Sequence, residues 1–177
     1  MSCRYDKFKV IASNEAKLSP NKIKHGALII KGNKIVAKGF NNPRSTFLKK
    51  KDYCQHAEMA AATSFINSVV RKNPTKFTPV HYSNRKTDPL FNLKDYAVLV
   101  VRIPNDEEKR EKFITVDSSP CLICAKRMFK LGFGKLIYSN NDNSLEVVKL
   151  QYYNKVHICS AQRTRKTDKN KYGHIII

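Results

Sequence analysis

Residues 120–124 read Pro120-Cys121-Leu122-Ile123-Cys124, and residues 56–58 read His56-Ala57-Glu58. Each opens a stretch with helical apolar spacing. After His56, the residues Ala60, Ala61, Ala62, Phe65, Ile66, Val69 and Val70 form a broad apolar face, which predicts a helix from His56 to about Val70. After Pro120, a helix is predicted from Cys121 to Leu131, stopped by Gly132. A His-x-Glu is common by chance, and a Cys-x-x-Cys is shared by redox proteins and zinc ribbons. Together, each at a helix start, the two become specific.

Cysteines at i and i+3 in a first helical turn place two thiols on one face. The helix N-terminus favours their thiolate form. His56, from the start of another helix, can supply a third ligand. Three protein ligands leave the fourth tetrahedral position to solvent, the arrangement of a catalytic rather than a structural zinc. Such a metal makes water acidic enough to react near neutral pH. Glu58, two residues from His56, is placed to move protons without ligating. The competing reading is a satisfied histidine beside a structural Cys pair, with Glu58 a surface carboxylate at a helix start. A zinc ribbon would need a second Cys-x-x-Cys, and there is none.

Outward from these motifs, residues 5–18 place Phe8, Ile11, Ala12 and Leu18 at helical spacing ahead of Pro20. Ala27-Leu28-Ile29-Ile30 and Lys34-Ile35-Val36-Ala37 flank Gly32-Asn33, which reads as a tight hairpin. Gly39-Phe40-Asn41-Asn42-Pro43 reads as a loop. Residues 71–92, with Pro74, Pro79 and Pro89, read as a surface insertion. Tyr96–Ile103 is predicted to be a buried strand, followed by a charged turn over Pro104–Glu111 and a short strand over Phe113–Val116. Leu136-Ile137-Tyr138 reads as a further strand, and Val156-His157-Ile158 is β-like. The order implies an α/β chain whose mixed sheet is covered by helices. One domain over residues 1–160 and a basic tail over 161–177 are expected.

Of the 177 residues, 41% are apolar, enough for one core and no sign of disorder. No apolar run is long enough to span a membrane. The N-terminus lacks the apolar stretch of a secretory signal, so an intracellular location, cytoplasmic or nuclear, is expected. Five cysteines in such a chain argue against a disulfide framework. Cys3, Cys54 and Cys159 then read as small buried hydrophobes, and His25 as a core or surface histidine at a strand start. The 34 Lys and Arg against 14 Asp and Glu give a net charge of +20, a field that attracts nucleic acid or phosphorylated small molecules, or else a composition bias with no partner behind it. Phe91, Tyr96, Tyr152 and Tyr153 could stack on bases, but read first as packing residues.

In its two motifs, and over roughly Lys24 to Ser139, the chain resembles the zinc-dependent cytidine/deoxycytidylate deaminase superfamily, which includes tRNA adenosine deaminases. His25-Gly26-Ala27-Leu28-Ile29-Ile30 is similar to the family's first core strand, and Gly39-Phe40-Asn41 to its glycine-aromatic-asparagine loop. Gly132-Phe133-Gly134-Lys135-Leu136-Ile137-Tyr138 is similar to the strand after its second motif helix. The resemblance implies a three-layer α/β/α fold and Zn2+ held by His56, Cys121 and Cys124. It implies Glu58 as the proton carrier. Asn41 would bond the substrate's sugar or base edge, and the backbone around Ala57 and Ser119 would contact the base. The implied reaction is hydrolytic loss of ammonia from cytosine or adenine, and a homo-oligomer is in keeping with the family. The implied substrate is a nucleoside or nucleotide, with cytosine favoured. The alternatives are RNA or single-stranded DNA reached through the basic surface, and a non-catalytic nucleic-acid-binding relative. Two departures bear on substrate. Glu58 and Pro120 lie 62 positions apart, more than in small family members, and Asp117-Ser118-Ser119 stands where many relatives carry a Glu or a Thr-rich strand before Pro-Cys. His157-Ile158-Cys159-Ser160-Ala161-Gln162-Arg163 is similar to deaminase-like proteins of large DNA viruses, for which the location would be the host cytoplasm.

Overall fold

The unbroken apolar run Ala97-Val98-Leu99-Val100-Val101 has no polar face, so its strand must be covered on both sides. The structure, a computed structural model, puts it in the middle of a five-stranded sheet. Residues 4–43, 46–47, 50–51, 55–70, 72 and 90–154 are described. Their elements are α1 (Asp6–Lys17), β1 (Lys24–Lys31), β2 (Lys34–Phe40), β3 (Thr46–Phe47), β4 (Lys50–Lys51), α2 (Ala57–Phe65), β5 (Leu93–Ile103), α3 (Glu107–Glu111), α4 (Leu122–Leu131), β6 (Phe133–Ser139) and β7 (Leu145–Lys149). The spatial order is β2-β1-β5-β6-β7. Only β5 and β6 run parallel, so the sheet is mixed, as expected.

Strand alternation builds two cores. Leu28, Ile30, Ala97, Leu99, Val101 and Ile137 face one way and pack with Phe8 and Ala12 of α1. Ala27, Ile29, Val98, Val100, Leu136 and Tyr138 face the other way and pack with α2 and α4 through Met59, Ala61, Phe65, Cys124 and Met128. This is the three-layer α/β/α arrangement. In the hairpin, Gly32 has φ +58° at the first of two loop positions, the type II′ pattern that matches strand twist. At Gly39 a Cβ would collide with the backbone of Ala60 and Ala61, so a side chain there would push α2 off β2.

The expected helix from His56 to about Val70 is α-helical only to Phe65, and continues as a π-helical turn over Ile66–Val70. The turn expected over Pro104–Glu111 contains α3, whose N-cap Asp106 accepts from the Lys109 N–H. The strand expected over Phe113–Val116 does not form. Phe113 has φ +53°, the Thr115 N–H is taken by the Asn143 side chain, and Val116 alone bridges to Arg102. The strand β7 was not expected. Most of the 71–92 insertion, the Val156-His157-Ile158 run, the 161–177 tail, and Cys3, Cys54 and Cys159 lie outside the described residues. Among the described residues no helix is long and apolar enough to cross a membrane.

Candidate metal centre and active site

His56 and Cys121 occupy matching places. Each is the N-cap of its helix, with φ/ψ of −70°/152° at His56 of α2 and −68°/156° at Cys121 of α4. Each backbone carbonyl accepts the first helical bond, from Ala60 N–H and Ala125 N–H respectively. Neither side chain caps its own helix, and the two turn toward each other. The segments before the helices are tied down. Asn42 and Gln55 exchange two backbone bonds ahead of His56. Ahead of Cys121, Ser118 Oγ donates to Val100 O at 2.8 Å and accepts from Ser139 N–H at 2.9 Å, and Tyr153 Oη donates to Pro120 O at 2.6 Å.

The result is a cluster. His56 Nδ1 lies 3.6 Å from Cys121 Sγ and 3.4 Å from Cys124 Sγ. All three ligand atoms fall within 4.8 Å of one another. A tetrahedral zinc, with bonds of about 2.3 Å to sulfur and about 2.0 Å to nitrogen, holds such ligands about 3.5 Å apart. The donor set and its spacing therefore fit zinc. The thiols already lean toward that state. The Cys121 thiol is pulled down to about 5, chiefly by the hydrogen bond from Cys124, which outweighs burial. The same bond, with burial added, raises Cys124 well above its ordinary value. The pair thus shares one proton.

Glu58, in the first turn of α2, is 4% exposed, and its Oε1 stands 3.8 Å from His56 Nδ1. It lies beside the ligand cluster and is not a member of it. Burial pushes its carboxyl up, but the His56 imidazole, a backbone hydrogen bond and the charge of His25 together hold it below the usual value.

The family model described as the cytidine and deoxycytidylate deaminase zinc-binding region matches residues 4–140. The chain belongs to this family. The matched region includes His56, Cys121 and Cys124, the three residues arranged to bind a metal ion. No curated protein matches the chain. Among solved structures, the apo dCMP deaminase from the cyanophage S-TIM5 is 18% identical, with TM-score 0.46, over 80% of this chain and 86% of that one. The cytidine deaminase from Burkholderia pseudomallei is 16% identical, with TM-score 0.46, over 84% of this chain and 94% of that one.

The family's other expected site residues fall as follows. Ala57 is fully buried beside His56. Ser119 is half-buried and donates through N–H (3.4 Å) and Oγ (3.0 Å) to the two oxygens of Asp117. Asn41 follows β2 and clamps the start of β1: its Oδ1 accepts from His25 N–H and its Nδ2 donates to Ile23 O, both at 2.8 Å. Three further residues lie close to these. His25 feels the charges of Glu58, Arg102, His56 and Asp117, and burial pushes its imidazole down to about 4. Arg102 lies opposite it in the sheet. Tyr153 closes over Pro120. Alternation from Ala27 and Ile29 back to His25 was a usable signal, but its partner strand was not knowable before pairing.

Proposed function

We propose that this protein is a hydrolytic deaminase that removes ammonia from C4 of a cytosine base in a nucleoside or nucleotide. The carrying observation is that His56, Cys121 and Cys124 converge at zinc-ligand spacing with the buried carboxylate of Glu58 beside them. Zinc, when bound there, supplies the Lewis acidity that makes water reactive at neutral pH.

The remaining work falls to the chain. Glu58 is a carboxylate in a buried site, so it can take a proton from the attacking water, deliver it to the ring nitrogen, and assist departure of the amine as ammonia. Ala57 and the Ser119 backbone line the base. Asn41 spends one lone pair and one N–H on β1, and keeps a second of each for the substrate's sugar. The test is ammonia release from cytidine, deoxycytidine, their monophosphates, adenosine and structured RNA. Glu58→Gln should lose at least 10²-fold in turnover with zinc content unchanged. Undiminished turnover in that variant would overturn the proton-carrier role.

The net charge of +20 favours a second reading, deamination of RNA or single-stranded DNA. In that case binding to the polymer falls steeply with added salt, and turnover on an oligonucleotide exceeds that on mononucleotides.

A further inference from the structure

At each of the two N-cap ligands, the peptide in front is held by its carbonyl. Before His56 that carbonyl is Gln55 O, which accepts from the backbone N–H of Asn42 at 3.1 Å. Before Cys121 it is Pro120 O, in a buried residue. Buried carbonyls need a partner. Among the described residues no backbone N–H reaches Pro120 O. A side chain does instead: Tyr153 Oη donates to it at 2.6 Å.

Tyr153 belongs to the chain after β7, beyond the residues 4–140 that the family model matches. Its own place is well fixed. Buried Leu150 anchors the segment in the core shared with α2 and α4, and the Tyr153 N–H donates to Leu150 O at 3.2 Å. The ring stands edge-on to that of Tyr138 in β6, with centroids 6.0 Å apart and planes at 83°. Burial above all raises the hydroxyl above its ordinary range, so it stays a donor. The bond matters because the C=O of Pro120 and the N–H of Cys121 share one rigid plane. The first N–H groups of a helix have no partner within it, so the helix does not fix that plane. Turning it would swing the Cα–Cβ bond of Cys121, and with it the sulfur that stands 3.6 Å from His56 Nδ1.

We propose that Tyr153 is a positioning residue for the metal centre, holding the Pro120 carbonyl so that the Cys121 sulfur leaves its helix toward His56. It does for α4 with a side chain what Asn42 does for α2 with its backbone. The segment after β7 is thereby part of the site's machinery. Groups that orient metal ligands from outside the coordination shell change affinity by about 10–100-fold when removed. The proposal rests on the metal centre of the deaminase reading, and its test needs no turnover.

The test measures zinc affinity of the full chain by chelator competition, together with the absorption spectrum of the cobalt-substituted protein, whose thiolate and d–d bands report ligand geometry. Tyr153→Phe keeps the ring beside Tyr138 and removes the donor. Tyr138→Phe is the control, since it removes the neighbouring hydroxyl, which bonds Glu146. Tyr153→Phe should bind zinc about 10-fold more weakly, or worse, and shift the cobalt bands, while Tyr138→Phe keeps both as in wild type. Wild-type affinity and bands in Tyr153→Phe overturn the proposal. Equal losses in the two variants also overturn it, because they assign the Tyr153 hydroxyl to general stability. A wild type that binds zinc and releases no ammonia from any substrate overturns the deaminase reading alone; one with no zinc affinity overturns both. Should Tyr153→Phe not fold, a fluorotyrosine placed at position 153 keeps the hydroxyl. Its fluorine resonance should move on zinc loading, and a resonance indifferent to zinc overturns the proposal.

Discussion

The Nδ1 of His56 lies 3.4 Å from the Sγ of Cys124, although 68 positions separate them in the chain. Two helix starts, each held by backbone bonds to the sheet, meet at that point. The contact is available because β2 and β5, both antiparallel to the β1 strand between them, send the chain out at the same end of the sheet.

The shared proton of the two thiols makes metal capture pH-linked. Cys121 is ionised at neutral pH and Cys124 is not. Zinc requires both as thiolates. Loading the metal-free protein at pH 7 should therefore release a proton from Cys124. Calorimetry in two buffers of different ionisation heat reads this directly. Cys124→Ala should abolish both the release and tight binding.

His25 is held neutral in the fold, chiefly by burial, with Glu58 opposing and Arg102 reinforcing. Its imidazole is lowered from 6.5 to about 4, so between those values the unfolded chain takes a proton that the folded chain refuses. The stability it contributes is fully present above pH 6.5 and is lost as pH falls toward 4. Between pH 7 and pH 5 the loss is about 2 kcal/mol. Urea midpoints at the two pH values should show a smaller acid loss in His25→Asn than in wild type. Equal losses would show that the imidazole charges freely in the fold.

Gly39 marks the closest approach of β2 to α2. Gly39→Ala should destabilise by about 2 kcal/mol, as overpacking does, and lower the Tm by about 4–8 °C. At Gly32 an added Cβ meets nothing within 4 Å, and only the positive φ resists it, so Gly32→Ala should cost less. Thermal melts of both variants decide the order.

What could be read from the chain followed from strong local patterns. The Ala97–Val101 run, the Gly32-Asn33 hairpin and the helix after Pro120 each carry enough periodicity or turn chemistry to place themselves. The missed strand β7 lies at the sheet edge, where none of Leu145-Glu146-Val147-Val148-Lys149 is fully buried, so alternation is weak. The missed α3 is a single charged turn, Glu107-Glu108-Lys109-Arg110-Glu111, with no apolar face to announce it. In the site, His56, Cys121 and Cys124 were legible because metal chemistry demands those types at those spacings. His25 and Arg102 were not, because their relation exists only once β1 pairs with β5.

The most direct test of the whole account is zinc K-edge X-ray absorption on the purified, folded protein. The account predicts one zinc per chain, with two sulfur ligands at about 2.3 Å and two lighter ligands near 2.0 Å, one being His56 and the other exchangeable solvent. A protein that folds without stoichiometric zinc, or a zinc closed off by four protein ligands, would contradict it.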